Sequence, residues 1–128
     1  MPDTELELAR FVRGEMDPAK FPHRDHVRLG FEMLRRHSFV ETALHYSQGL
    51  QRMTARIGKP EAFHQTVTIA FLSLIAERMQ SGSYDDFEAF IQANDDLVSK
   101  GTLGRWYSPG RLGLEAARRT FVLPDPVR

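Results

Sequence analysis

The sequence contains no cysteine in 128 residues. A chain without cysteine forms no disulfide bond, holds no iron–sulfur cluster or thiolate zinc site, and has no cysteine nucleophile. Any transition metal that it binds must therefore be held by histidine, aspartate or glutamate side chains. With no covalent cross-link, the fold depends on its hydrophobic core, and 128 residues are enough to form one in a single domain.

The chain also lacks an excess of charge of either sign, since 17 Lys and Arg residues balance 17 Asp and Glu residues. A neutral chain has no overall field that attracts phosphate backbones, so we expect no nucleic-acid partner. The local basic pairs Arg35–Arg36 and Arg118–Arg119 fall near predicted helix C-termini, where cations offset the helix dipole.

Long apolar runs are absent too, and none approaches the roughly 20 residues that a membrane-spanning helix needs. The acidic first residues lack the basic start and the apolar stretch of a signal peptide. We therefore expect no membrane partner and a cytoplasmic location.

Apolar residues recur at steps of three and four along most of the chain, which is typical of amphipathic helices. No segment alternates apolar and polar residues convincingly with a period of two, so a sheet has little support. The pattern predicts an all-α, single-domain bundle of five or six helices over residues 1–128, with flexible ends at about 1–3 and 124–128. The longer helices are predicted at roughly 4–13, 22–37, 39–57, 61–80 and 109–120, with a short one after residue 86.

The helix starts are predicted from capping residues. Two pairs have the spacing of a capping box, and two more indicate a polar cap before a helix: Thr4 with Glu7, Ser38 with Glu41, Ser83 with Asp86, and Ser108 before Pro109. The fourth predicted helix is apolar on more than one face, which places it in the middle of the bundle.

Three histidines form the constellation with the most evident chemistry. His23 and His26 lie one turn apart on the second predicted helix, and His64 opens the fourth; the helical period directs His26 and His64 toward the core. Neutral imidazoles ligate zinc, nickel, copper and iron, so His23, His26 and His64 are a candidate site for a divalent transition metal. Gly30, one turn from His26, permits either close helix contact or a small cavity.

Two alternatives to the metal site stay open, because the His-x-x-His spacing lacks the glutamate of the His-Glu-x-x-His metalloprotease motif. In the first, the histidines are hydrogen-bonded structural groups. In the second, they line a metal-free pocket in which His26 or His64 binds a small-molecule ligand or acts as a general base.

Three further residues are candidates for contact with a ligand: Thr68, Tyr107 and Arg105. Thr68 offers a hydroxyl group beside the histidines. Arg105 and Tyr107 flank Trp106 in a glycine-rich connection that is a candidate rim of the pocket. In the alternative interpretation, Trp106 and Tyr107 anchor this connection to the bundle while Arg105 stays solvated.

Three segments resemble a family of small bacterial all-helical proteins. They are residues 23–30 (HRDHVRLG), residues 64–68 (HQTVT, an H-x-T-x-T pattern) and residues 107–125, which begin YSPGRL and end ARRTFVLPD. The similarity spans most of the chain. No activity is established for that family, so the resemblance implies a recurrent helical domain of bacterial origin and assigns no role to the histidines.

Two functions are consistent with these observations. The first is a small-molecule or metal-binding protein with a histidine-lined pocket, with catalysis left open. The second is a non-enzymatic interaction or scaffold module, for which a homodimer is the simplest form. Its expected signature is exposed apolar side chains at Phe87, Phe90 and residues 121–123.

Overall fold

The computed structural model describes residues 3–126, apart from the side chain of Lys100, and all regular structure in that range is helical. The α-helices are α1 (Thr4–Val12), α2 (His23–Arg36), α3 (Phe39–Arg56), α4 (Gln65–Gln80), α5 (Phe87–Ala93), α6 (Pro109–Leu112) and α7 (Glu115–Arg119). Short 3-10 turns lie at Pro18–Lys20, Pro60–Ala62, Asp95–Val98 and Lys100–Arg105. The predicted all-α fold is confirmed. The predicted last helix is two helices, because α6 ends at Gly113 after a single turn.

Several predicted boundaries are confirmed by the capping contacts. Ser38 and Glu41 form the predicted capping box at the start of α3. Gly14 and Gly58 lie beyond the ends of α1 and α3 with φ of 75° and 74°, the left-handed conformation in which a side chain is strained. Ser108 caps α6 as predicted.

Two predicted cap residues and one predicted helix start were wrong. The carboxylate of Asp3, rather than Thr4, caps α1, and Glu7 forms an ion pair with Arg28 instead of closing a capping box. Asp86, rather than Ser83, caps α5. The fourth helix begins at Gln65 instead of about 61, since residues 60–62 form a separate 3-10 turn.

The core consists of two clusters that share α2 and α4. One cluster lies against α1 and α3: Leu8, Phe11, Phe21, Leu29, Met33, Tyr46, Met53 and Leu72. The other lies against α5 and the elements that follow it: Val27, Phe31, Phe71, Leu74, Ile75, Phe87, Phe90, Ile91, Leu97, Leu103 and Tyr107. The predicted central position of α4 is confirmed. Phe87 and Phe90, predicted as exposed interaction residues, are buried instead, because they pack against Phe31.

Gly30 permits close contact between α2 and α4. A Cβ atom at this position would lie 3.1 Å from Leu72 Cδ2 and 3.3 Å from Ile75 Cδ1, closer than ordinary van der Waals contact. Of the two interpretations of this glycine, close helix packing is therefore the one that applies.

The C-terminal segment 120–126 contains no helix or strand and is tied to the bundle by hydrogen bonds. The Asp125 carboxylate accepts from the backbone N–H and the hydroxyl of Ser108, both at 2.8 Å. Of the ends predicted to be flexible, residues 1, 2, 127 and 128 lie outside the described residues, whereas Asp3 and Asp125 are held by these contacts. No helix in residues 3–126 is both long and apolar enough to cross a membrane.

Candidate functional site

The first turn of α2 carries two histidines at the entrance to the bundle. Pro22 is the N-cap residue of α2, so His23 is the first helical residue and His26 the fourth. Phe21 precedes the cap and stacks on the His26 ring, with centroids 4.2 Å apart. A residue before the cap packed on the fourth helical residue is the arrangement of a hydrophobic staple, which fixes the angle at which the chain enters the helix. The staple holds the His26 ring in place.

His23 is held by contacts from two other elements. Its Nε2 lies 3.0 Å from the backbone oxygen of Leu97. A carbonyl oxygen only accepts, so Nε2 carries a proton and donates it to Leu97. The ring also meets Phe71 of α4 edge-on, with centroids 4.9 Å apart. The His23 and His26 rings lie near one another, their centroids separated by 6.3 Å.

These two rings form one wall of a pocket of about 90 Å³ between α2, α3 and α4. Its lining residues are His23, His26, Val27, Tyr46, Leu50, Val67, Thr68, Phe71, Leu72 and Ile75. No Asp, Glu, Lys or Arg is among them in the described part of the chain. The polar groups of the pocket are therefore imidazoles and hydroxyls set in an apolar wall.

Both hydroxyl groups are already hydrogen-bonded to the helices. The Tyr46 hydroxyl donates to the backbone oxygen of His26 at 2.8 Å, and the Thr68 hydroxyl donates to the backbone oxygen of His64 at 2.8 Å. Burial raises the pKa of Tyr46, so this phenol stays protonated at neutral pH and remains a donor. Each oxygen retains the capacity to accept a hydrogen bond.

His64 lies outside the lining of this pocket and has a structural position. It is the N-cap residue of α4, where its Nδ1 accepts from the Val67 N–H at 3.1 Å. Its Nε2 donates to the Leu112 backbone oxygen at 2.8 Å and so ties α6 to the start of α4. Both ring nitrogens are thus used within the fold, and neither has a lone pair left for a metal ion.

The three-histidine metal site of the sequence prediction is not assembled in the structure. His23 and His26 share a pocket, but His64 lies outside its lining, because both of its ring nitrogens are hydrogen-bonded within the fold. Among residues 3–126 there is no group of three or more His, Asp or Glu side chains arranged to hold a metal ion. Structural zinc sites use four protein ligands and catalytic ones three, so the described residues fall short of either set.

The two remaining candidates lie elsewhere. Tyr107 is buried, lines a second pocket and donates to the Val122 backbone oxygen at 2.8 Å; burial raises the pKa of its phenol. Arg105 has a side chain that is 60% exposed and lies 3.5 Å from Asp96. The anchoring interpretation therefore holds for Tyr107, while Arg105 is on the surface and Trp106, 42% exposed, sits at the mouth of the second pocket.

Sequence reasoning missed two residues that shape the site. Tyr46 follows Ala43 and precedes Leu50 on one face of α3, so the helical period alone would have placed it toward the core. Phe21 lies immediately before a proline that begins a helix, which is the position of a hydrophobic staple. Their contacts with His26, however, depend on how α2 and α3 pack, which no local pattern determines.

Comparison with protein-family models, with curated proteins and with solved structures finds no match for this chain.

Proposed function

We propose that this chain is a binding protein for a small polar molecule, which it holds in the pocket lined by His23 and His26. The observation that carries the proposal is the pairing of these two imidazoles on one wall of a partly apolar pocket, each ring fixed by packing against a phenylalanine. Binding sites of small molecules are typically concave and apolar, with a few polar groups held in position.

The size of the pocket limits the ligand to a few non-hydrogen atoms. Its volume of about 90 Å³ is smaller than the roughly 150 Å³ that accommodates benzene in another protein, and far below the roughly 300 Å³ at which drug-sized sites begin. A ligand of this size buries little surface, so hydrogen bonds to the imidazoles must contribute much of its affinity.

The chemistry of the lining indicates one polar group and one apolar end. A neutral imidazole donates through one nitrogen and accepts through the other, and the N–H of His23 is already used on the Leu97 oxygen, so a ligand that brings its own donor, an amide or an alcohol, is favoured over a carboxylate. Val67, Phe71 and Leu72 supply the apolar wall. Histidine is also the side chain that most often transfers protons in active sites, so an acid–base role of His23 or His26 is compatible with the proposal. A cytoplasmic location and membership in the bacterial family named above stay predictions.

The test uses three probes of equal size that differ in their polar group: acetate, acetamide and 2-propanol. Their binding is followed by the backbone amide resonances of Val27, Val67 and Phe71. Because small ligands gain at most about 1.5 kcal/mol per non-hydrogen atom, we expect dissociation constants between tens of micromolar and millimolar for the probes that bind.

The matched variant is His26→Phe, which keeps a ring on Phe21 and removes both ring nitrogens. Loss of one hydrogen bond is expected to weaken probe binding about fivefold to tenfold. The same substitution at the exposed His45 is the control and leaves binding unchanged. The proposal fails if no probe shifts the pocket resonances, or if His26→Phe binds as tightly as the original chain.

Self-association is a second candidate function, favoured by exposed apolar side chains on α3. Val40 and Leu44 lie one turn apart and are 76% and 55% exposed. Exposed apolar side chains that form a contiguous patch mark protein interfaces. If Val40 and Leu44 mediate a dimer, we expect Leu44→Ser to make the chain monomeric in sedimentation equilibrium. Leu6→Ser is the control: Leu6 is 56% exposed on α1, and its replacement is expected to leave the dimer intact. A chain that is monomeric without any substitution excludes this function.

A further inference from the structure

A second pocket lies on the opposite side of α4 from the histidines, beneath the C-terminal segment 120–126. It has a volume of about 160 Å³ and is lined by Ala70, Ser73, Leu74, Glu77, Leu103, Trp106, Tyr107, Phe121 and Pro124. This volume is close to the roughly 150 Å³ that accommodates a benzene molecule in another protein. The pocket can therefore hold a compact apolar group.

The pocket is fixed by hydrogen bonds that hold the C-terminal segment. Tyr107 donates to the Val122 backbone oxygen at 2.8 Å, and the Asp125 N–H donates to the Trp106 backbone oxygen at 3.2 Å. Thr66 accepts from the Val122 N–H at 3.0 Å and donates to Thr120 O at 2.9 Å. These contacts position the aromatic side chains of Trp106 and Phe121, which are 42% and 41% exposed, at the pocket.

The one charged side chain that lines this pocket in the described residues is Glu77. Its carboxylate makes no hydrogen bond and no ion pair within residues 3–126. The two nearby arginines are directed elsewhere: Arg78 binds Asp96 at 2.9 Å, and Arg105 lies 3.5 Å from the same carboxylate. Glu77 is thus an exposed carboxylate beside an apolar, aromatic wall; the charge of Arg78 acts on it, but no direct ion pair within the described residues holds it.

We propose that this second pocket binds a small organic cation, in which an ammonium group carries compact alkyl substituents. The alkyl groups fill the apolar space between Leu74, Leu103 and Pro124. The positive charge lies against Glu77 and the face of an aromatic ring, where the ring quadrupole attracts cations. Neither group alone selects such a ligand: an apolar pocket also admits neutral molecules, and a lone carboxylate also binds metal ions or water.

The test compares choline with 3,3-dimethyl-1-butanol, which has the same shape without the charge. Trp106 is the single tryptophan of the chain, so its fluorescence reports on this pocket alone. We expect choline to change the fluorescence saturably, with an affinity about tenfold higher than that of the neutral alcohol. Equal affinities, or no saturable change, would overturn the proposal.

Glu77→Gln removes the charge and keeps the shape of the side chain. We expect it to weaken choline binding about tenfold and to leave binding of the neutral alcohol unchanged. Glu88→Gln on α5 removes one charge outside the pocket and is expected to bind both probes as the original chain does. If Glu77→Gln and Glu88→Gln weaken choline binding equally, the effect is one of overall charge, and the assigned site is wrong.

Discussion

Replacing His64 with Ala is expected to destabilise the fold and to leave ligand binding at His23 and His26 intact. The substitution removes the acceptor of the Val67 N–H at the start of α4 and the donor to the Leu112 backbone oxygen. Loss of an N-cap costs about 1 kcal/mol, and loss of a neutral hydrogen bond costs about 1 kcal/mol more. We therefore expect the free energy of unfolding to fall by about 2 kcal/mol.

The measurement is urea denaturation at neutral pH, with thermal unfolding as a second readout. For a domain of this size, about 2 kcal/mol corresponds to a decrease in Tm of about 5–10 °C. His64→Asn separates the two contacts, because asparagine is a good N-cap but does not reach Leu112; it is expected to lose only about 1 kcal/mol. His45→Ala, at an exposed position on α3, is the control and is expected to change stability by less than about 0.5 kcal/mol.

Two results would refute this reasoning. If His64→Ala unfolds at the same urea concentration as the original chain, the capping contacts do not stabilise the fold. If it is stable but no longer binds the pocket probes, His64 is a ligand-binding residue, and the assignment of the site to His23 and His26 alone is wrong.

Two further predictions concern packing and pH. Gly49→Ala would place a Cβ atom 2.6 Å from the backbone oxygen of Phe11, so we expect its free energy of unfolding, measured by urea denaturation, to fall by about 1–3 kcal/mol. Gly104→Ala is the control: its Cβ atom meets no other atom within 4 Å, and we expect little loss of stability. The hydrogen bond from Arg78 holds the pKa of Asp96 below its ordinary value and outweighs burial, which acts in the opposite direction. Its contribution to stability is therefore complete above pH of about 4 and is lost as the pH falls through the lowered pKa of the folded state. Asp96→Asn should be less stable than the original chain at pH 7, and the difference should shrink below pH of about 4; a constant difference would contradict the pairing.

The helical fold was largely predictable because its signals are local. The capping box of Ser38 and Glu41 and the helix end at Gly58 depend on a few neighbouring residues. The errors arose where a distant residue competes for the same side chain. Thr4 and Glu7 have the spacing of a capping box, but the Glu7 carboxylate pairs with Arg28 of another helix, and Asp3 caps α1.

The candidate site was predictable only in part, because some of its contacts depend on residues that are distant in the sequence. The spacing of His23 and His26 indicated one shared face, and the structure places both in one pocket. The position of His64 depends on a 3-10 turn that delays the start of α4 and on a carbonyl group 48 residues away, at Leu112. Ser, Thr, Asp and Asn are the preferred N-cap residues, so a histidine at this position is not recognised as a cap from the sequence. His64 was therefore predicted to be a ligand-binding residue, whereas the structure shows that it caps α4.

The most direct test of the central claim is a nitrogen-detected NMR titration of the imidazole rings with acetamide. We expect the ring nitrogens of His26 or His23 to shift saturably, while both ring nitrogens of His64, which are hydrogen-bonded to Val67 and Leu112, keep their resonances. Shifts at His64, or unchanged resonances at His23 and His26 up to saturating probe, would contradict it.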